Sequence, residues 1–144
     1  MKQILILLSF IAISLFGYSD TLDYYHVYLN DSLIGQYNSN SEKPSIVLNH
    51  SELKDNDVIT VRYGTDHPCI ECVYVLSVII EVKEKTPKAE TTENFGKLSI
   101  PLKDLLYFQK KYEINKYHFN YHVHTENSLK QEYNGAYLFE LKII

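Results

Sequence analysis

Short segments in which apolar and polar residues alternate constrain the fold of this chain more than any other sequence feature. DYYHVYLN (23–30), DVITVRYG (57–64) and NKYHFNYHVHT (115–125) each place every second side chain on one face of an extended strand. Tyrosine and β-branched residues, which favour strands, are frequent in them. The chain is therefore expected to consist mainly of β-strands.

Further strands are expected in LIGQY, PSIVLN, CVYVLSVIIEVK, GKLSIPL and YNGAYLFELKII. The third of these is apolar on both faces in its middle, which predicts a central position in a sheet. PLKDLLYFQKKY carries Leu102, Leu105, Leu106 and Gln109 at helical spacing behind a proline, and it predicts one short helix. The polar segment EKTPKAETTEN (84–94) predicts a mobile loop.

Seven or eight strands with one short helix in a connection predict an all-β fold, an antiparallel β-sandwich with Greek-key links. This arrangement has a generic likeness to immunoglobulin-like and C2-like sandwiches, and no residues match a particular family. Strands do not alternate with helices, so a nucleotide-binding parallel sheet is not expected. One domain is expected to span residues 20–144, an ordinary length for one hydrophobic core.

The N-terminal residues 1–19 are expected to be a cleaved secretory signal peptide. A basic residue precedes an apolar run from 4 to 16, and the small residues Gly17 and Ser19 precede the expected cut before Asp20. The run is shorter than the roughly 20 apolar residues of a transmembrane helix, and no basic residues follow it. We therefore expect an exported protein, periplasmic or extracellular, without a membrane span after cleavage.

The charge of the chain argues against nucleic acid and anionic lipid as partners. Its formal value is −4, from 18 acidic and 14 basic residues, and Arg62 is the only arginine. Nucleic acid and anionic lipid surfaces are bound through clusters of basic residues, which this composition does not predict. We therefore expect no nucleic-acid partner.

The two cysteines lie three residues apart in HPCIEC (67–72), a spacing compatible with a redox centre, a metal site or a disulfide. A redox centre of this type begins a helix, whereas the residues after Cys72 are β-branched. A metal site would add His67 to the cysteines, but the second cysteine pair of common zinc sites is missing. Export favours a disulfide between Cys69 and Cys72, which requires a turn that Pro68 would begin.

Histidines recur on one face near the end of the chain. Alternation places His118, Asn120, His122 and His124 towards solvent, opposite Phe119, Tyr121 and Val123 in the core. Two imidazoles two residues apart, at His122 and His124, can bind one zinc or copper ion, with His118 as a further candidate and Glu126, His26 or His67 as a third ligand. The alternative, which we favour, is a solvated face without a resident cofactor.

The sequence leads to three functional hypotheses of different classes. The first is a non-enzymatic exported module that binds a protein or a cell-surface polymer through its edges, loops and outward tyrosines. The second is a periplasmic metal-binding protein that uses His122 and His124, and the third is a small secreted enzyme. The enzyme ranks last because no nucleophile or acid–base pair can be recognised, and Asp55, Asp57 and Asp66 are interpreted as turn caps. No pattern predicts an oligomeric state.

Overall fold

The computed structural model of the chain describes residues 23–66, 68–93, 96–125 and 135–144. Within these ranges the chain forms nine strands, one α-helix and one short 3-10 turn. The strands are β1 (Tyr24–Leu29), β2 (Ser32–Asn38), β3 (Ser45–Leu48), β4 (Val58–Gly64), β5 (Cys72–Ile79), β6 (Lys88–Thr91), β7 (Lys97–Pro101), β8 (Lys116–Thr125) and β9 (Ala136–Ile143). The helix, α1, spans Leu102–Tyr112, and the 3-10 turn spans His50–Glu52. The expected signal peptide, residues 1–19, lies outside the described residues and stays a prediction.

The strands form two sheets. β2, β1, β4 and β7 lie side by side, in this order, in a four-stranded sheet whose pairings are all antiparallel. β3, β9, β8, β5 and β6 form a five-stranded sheet in which β5 is an inner strand, as its two apolar faces predict. The expected β-rich fold with one helix is confirmed for the described part of the chain.

The expectation of a purely antiparallel fold is wrong at β3, which runs parallel to β9. Two backbone bonds anchor it there: Glu140 N donates to Pro44 O, and Ile144 N donates to Leu48 O, both at 2.9 Å. Alternation of apolar and polar residues identifies a strand but does not say whether it runs parallel or antiparallel to its neighbour. A short turn between two strands would make them antiparallel, and β3 and β9 are not joined by one. The direction of β3 could therefore not be predicted from its own residues.

The segment 84–94, expected to be a mobile loop, contains the edge strand β6. Its backbone pairs with β5 along its whole length, and Val78 N donates to Pro87 O at 2.9 Å just before it. The ladder bonds join main-chain atoms, and charged side chains are common on edge strands, so a polar segment can form one. The described residues therefore contain nine strands rather than seven or eight.

Side chains of both sheets form one hydrophobic core. Tyr25 and Val27 of β1 are buried, as alternation predicts, and the Tyr25 ring stacks on Phe139 of the five-stranded sheet at 6.4 Å between centroids. The Tyr25 hydroxyl donates to the carbonyl oxygen of Leu138 on β9. Burial raises the pKa of Tyr25 to about 12. These contacts hold β1 with its even-numbered side chains pointing away from the core.

The predicted helix is confirmed as α1, which follows directly from β7 and buries Leu102, Leu105 and Phe108 against the core. Pro101 precedes its first turn, where a missing N–H costs no helical hydrogen bond. The Tyr117 hydroxyl of β8 donates to Leu105 O at 2.8 Å and ties the helix to the five-stranded sheet. At 11 residues α1 is too short to cross a bilayer, and the described ranges hold no other helix that could do so.

Candidate binding surface

Cys69 and Cys72 lie in a turn immediately before β5, with their sulfur atoms at disulfide-bonding distance and their Cα atoms 5.7 Å apart. Glu71 adopts a left-handed backbone conformation (φ 61°) that closes the turn. The Tyr74 hydroxyl donates to Cys69 O at 2.9 Å and so ties the turn to β5. Because Cys72 begins a strand, the pair lacks the helix N-terminus that activates redox thiolates. The geometry favours a structural role, and His67 lies outside the described residues.

His122 and His124 lie side by side on the face of β8 that points away from the core. Their ring centroids are 5.6 Å apart and the rings are inclined by 26°. Burial lowers the pKa of His122 and the neighbouring His124 lowers it further, while the carboxylate of Glu90 acts in the opposite direction. The net effect favours a neutral imidazole at His122, the state in which histidine binds metal ions.

The part of the chain that the structure describes brings no third ligand to this histidine pair. It holds no group of three His, Cys, Asp or Glu side chains arranged to bind a metal ion. His26 lies on the four-stranded sheet and points away from the core, so the core separates it from His122. Glu126 and His67, the other proposed ligands, lie outside the described residues.

The alternation along β8 holds only in part. Val123, expected in the core, is 37% exposed near the end of the strand, and Asn120, expected in solvent, is 9% exposed. The register with β9 shifts after Phe119, where Leu138 is the extra residue on β9, whereas the register of β8 with β5 is unbroken. His118 lies opposite Glu140 of β9 and four residues before His122, about 13 Å away at the rise of a strand, so it does not join the other two histidines.

Among the loop carboxylates, the turn-cap interpretation is confirmed for Asp57. Its Oδ2 accepts from Lys54 N at 2.8 Å, and its Oδ1 accepts from Asn30 Nδ2 at 3.0 Å. The hydrogen bond from Asn30 is the main cause of a lowered pKa at Asp57. For Asp55 and Asp66 the same role stays an interpretation.

A second outward surface lies on the four-stranded sheet, where no sequence motif marked a site. At its centre, neighbouring strands place four side chains in one row: Gln36, His26, Arg62 and Lys97. Tyr24 and Tyr28 flank the row on either side along β1. We call these six residues the Arg62 face.

The ring of Tyr24 forms one end of the Arg62 face. It is 47% exposed and lies across Gly64 of the neighbouring strand β4. A Cβ atom at position 64 would overlap this ring, so the glycine allows the ring to lie against the strand. The His26 ring follows at 5.1 Å between centroids. Two neighbouring rings therefore cover this end of the sheet.

Arg62 occupies the centre of the face. Its side chain is exposed, and its guanidinium carbon lies 5.4 Å from the centroid of the Tyr28 ring. Such a contact holds the planar guanidinium in position while leaving N–H donors for a ligand. Lys97, also exposed, is its neighbour on β7. The surface thus combines an oriented cation with accessible aromatic rings.

The strands of the four-stranded sheet carry no carboxylate. They contain Arg62 and Lys97 but neither Asp nor Glu, although acidic residues outnumber basic ones in the whole chain. On the five-stranded sheet, by contrast, Glu90 and Glu140 each pair with a lysine of the same sheet, at 2.6 and 3.1 Å. The cations of the Arg62 face therefore have no acidic neighbour in the strands that carry them.

A cleft of about 210 Å³ lies near the start of β1 and the start of β9. Its tyrosine hydroxyls are engaged within the protein: Tyr63 donates to the carboxylate of Asp23 at 2.5 Å, and Tyr25 donates to Leu138 O. Burial, followed by the hydrogen bond to Asp23, raises the pKa of Tyr63. The cleft is consequently better explained by packing than by ligand binding.

A charged and aromatic cluster on α1 is also satisfied internally. Lys111 Nζ forms an ion pair with Glu84, donates to the Tyr107 hydroxyl at 2.7 Å, and lies 5.3 Å from the centroid of the Tyr112 ring. The ion pair lowers the pKa of Glu84. Lys111 already lies over the tyrosine rings and is neutralised by Glu84, so this cluster does not offer a free cation to a ligand.

Sequence reasoning did not find the Arg62 face, although part of the signal is present. Alternation in DYYHVYLN and DVITVRYG predicts Tyr25 and Val61 inside, and it places Tyr24, His26 and Arg62 outside. What the sequence does not show is that β1 lies directly beside β4, with His26 opposite Arg62. The juxtaposition is a property of the strand order.

No family model, curated protein or solved structure matches this chain significantly.

Proposed function

We propose that this chain is an exported, non-enzymatic β-sandwich module that binds a protein or a cell-surface polymer through the Arg62 face. A sandwich of the immunoglobulin-like or C2-like kind leaves the outer face of each sheet open to solvent. Residues 1–19, with their apolar run and small residues before Asp20, support export. The observation that carries the binding proposal is the exposed row of aromatic and cationic side chains on one sheet.

The composition of the Arg62 face suits a binding site. Tyrosine and arginine supply much of the binding energy at interfaces because each combines a large planar contact surface with hydrogen-bonding groups. Tyr24 rests on Gly64 and Arg62 on Tyr28, so both side chains are held before a ligand arrives. Side chains already fixed on strands lose less conformational entropy on binding than side chains of a mobile loop.

The displaced carboxyl groups of the described residues do not have the pKa of a general acid. Four carboxyl groups of the described residues have a clearly displaced pKa, and all four are lowered by hydrogen bonds: Asp57, Glu84, Glu90 and Glu140. A carboxyl that acts as a general acid near neutral pH needs a pKa displaced upward. An enzyme is therefore the least favoured of the three functions.

Metal binding is a second candidate function, favoured by the adjacent rings of His122 and His124. A zinc or copper ion would need at least one further protein ligand for a stable site. The described residues do not provide that ligand next to the pair. We therefore place metal binding behind recognition of a protein or polymer.

A pull-down from cell-envelope extract tests the proposed function. The immobilised protein is compared with a Tyr24→Ala/Tyr28→Ala variant and with Tyr107→Ala, which removes a 49% exposed tyrosine from α1. We expect the double variant to lose a specifically retained protein or polymer that the control still retains. Equal retention by all three proteins would show that the Arg62 face is not the binding surface.

A further inference from the structure

We infer that the ligand of the Arg62 face is a polysaccharide that carries carboxylate groups, such as a polyuronate. The inference rests on the proposed function and adds the chemical class of the ligand. It follows from three properties of the face: its exposed Tyr24 ring, its neighbouring hydroxyl and amide groups, and its cations, which have no acidic residue in the strands that carry them.

The exposed ring of Tyr24 suits the stacking of a sugar ring. A tyrosine that lies against a strand presents one aromatic face to solvent, and the C–H groups of a pyranose can pack on it while the sugar hydroxyls stay hydrated. Tyr24 is held in this way over Gly64. Tyr28 lies four residues further along β1, about 13 Å away at the rise of a strand. Tyr24 can therefore stack on one sugar, while Tyr28, which is partly buried and has the Arg62 guanidinium over its ring, places that cation near another sugar of the same extended polymer.

Neutral polar side chains also lie beside the rings, together with the exposed Leu33 opposite Tyr28 on β2. Beside Tyr28, Thr60 and Ser99 share a hydrogen bond between their hydroxyls at 2.9 Å, on neighbouring strands. Gln36 is exposed next to His26 on the edge strand β2. Hydroxyl and amide groups can both donate and accept hydrogen bonds, which matches the hydroxyls of a saccharide.

The cations specify an acidic saccharide. A guanidinium binds a carboxylate through two parallel hydrogen bonds, and Arg62 is held by Tyr28 with its edge available. Lys97 lies beside it, and the four strands contain no acidic residue that would repel an anionic ligand. Charge complementarity thus favours a carboxylated polymer over a neutral one.

Other macromolecules fit the face less well. A protein interface has a desolvated apolar centre, whereas Leu33 is the one exposed large aliphatic side chain on the described strands of this sheet. Nucleic-acid binding relies on many phosphate contacts, and the face has two formal cations, Arg62 and Lys97, in a chain of net charge −4. The ligand should carry carboxylates among many hydroxyls, which a polyuronate does.

Calorimetric titration of the purified protein with polygalacturonate tests the inference, with the methyl-esterified polymer as a matched neutral control. We expect binding to the acid form and markedly weaker binding to the ester. Arg62→Gln should weaken binding about tenfold or more, as expected for loss of a hydrogen-bonded ion pair. Lys116→Gln, which removes an exposed lysine from the other sheet, should leave the affinity unchanged.

Three results would overturn the assignment. Equal affinity for acid and ester would show that the carboxylate is not recognised, and equal affinity for polyglutamate or single-stranded DNA would show a general polyanion site. Absence of binding to both polygalacturonate and alginate would exclude this ligand class. In that case a pull-down that still depends on Tyr24 and Tyr28 would leave the proposed binding function standing, so the two failures can be distinguished.

Discussion

Replacing Gly64 with alanine tests whether ligand binding depends on where the Tyr24 ring lies. The ring stays in the protein, whereas Tyr24→Ala removes it. Gly64 does not have a positive φ, so its backbone accepts an alanine without conformational strain. The new methyl group would overlap the Tyr24 ring, which is half-exposed and can turn away into solvent. We expect the sheet to form normally and the ring to leave the Arg62 face.

The size of the effect on stability follows from the burial of Tyr24. The side chain is 47% exposed. About half of a tyrosine's roughly 200 Å² is thus covered, which at about 25 cal/mol per Å² corresponds to an upper limit of about 2.5 kcal/mol. A displaced ring keeps some of these contacts, and alanine in a strand recovers about 0.5–1 kcal/mol relative to glycine. Gly64→Ala should therefore lower the free energy of unfolding by about 1 kcal/mol, and Tyr24→Ala by about 2 kcal/mol.

Urea denaturation and polymer titration measure the two consequences separately. Gly64→Ala should reduce ligand affinity as much as Tyr24→Ala does, although it costs less stability. Gly35→Ala is the matched control, because its new methyl group would meet the ring of Tyr37, which packs against Tyr25 rather than on the Arg62 face. The control should lose stability without losing affinity. If Gly64→Ala binds the ligand as tightly as the wild type, the position of the Tyr24 ring is irrelevant and the reasoning is wrong.

Zinc should not shift the melting temperature of the wild type or of His122→Ala/His124→Ala, because an ion stabilises a fold only where it binds the folded state. A zinc-dependent rise in the wild type alone would favour the metal-binding function. Stability measured by circular dichroism should fall as the pH rises above 10, since burial raises the pKa of Tyr25 and Tyr117 from 10.0 to about 12. The neutral hydroxyls stabilise the fold fully below pH 10, and this contribution is lost as the pH rises through about 12. A flat profile in this window would contradict the burial of these hydroxyls. Mass spectrometry of the exported protein should find an N-terminus near Asp20, and an intact Met1 in the membrane fraction would refute cleavage.

Local pattern predicted the strands whose two faces have different surroundings. In β1 and β4, Val27 and Val61 are fully buried while the alternate residues His26 and Arg62 face outward, as the period of two requires. The pattern failed where main-chain bonds or strand order decide the structure. β6 is an edge strand without an apolar face, so its pairing with β5 rests on main-chain bonds. β3 is parallel to its partner β9, a direction that its own residues do not encode.

The candidate site was harder to predict than the fold because it has no motif. His-x-His is a recognisable ligand spacing and therefore predicted a metal site, yet the described residues do not add a third ligand to it. The Arg62 face consists of ordinary residues that become a surface only when β1 lies beside β4. Arg62 lies 34 or more residues from every member of the face that β1 contributes, so its partners are not visible as a local pattern.

The Cys69–Cys72 turn follows β4, the strand that carries Arg62. This strand carries Arg62 in the four-stranded sheet, and the chain then passes through the Cys69–Cys72 turn into the five-stranded sheet. Native thiol titration should find no free cysteine, and two titratable thiols would contradict the disulfide. Replacing both with serine should cost less than the roughly 3 kcal/mol of a longer loop, because so small a ring restrains the unfolded chain little.

Non-covalent contacts hold the same end of β4 without the disulfide. The Tyr63 ring of β4 stacks on Tyr121 of β8 at 4.1 Å between centroids, and the Tyr74 hydroxyl bonds to the turn at Cys69 O. We therefore expect the double serine variant to bind the polymer with unchanged affinity. A variant that remained as stable as the wild type but lost affinity would show that the disulfide, rather than the packing of the sheets, positions Arg62.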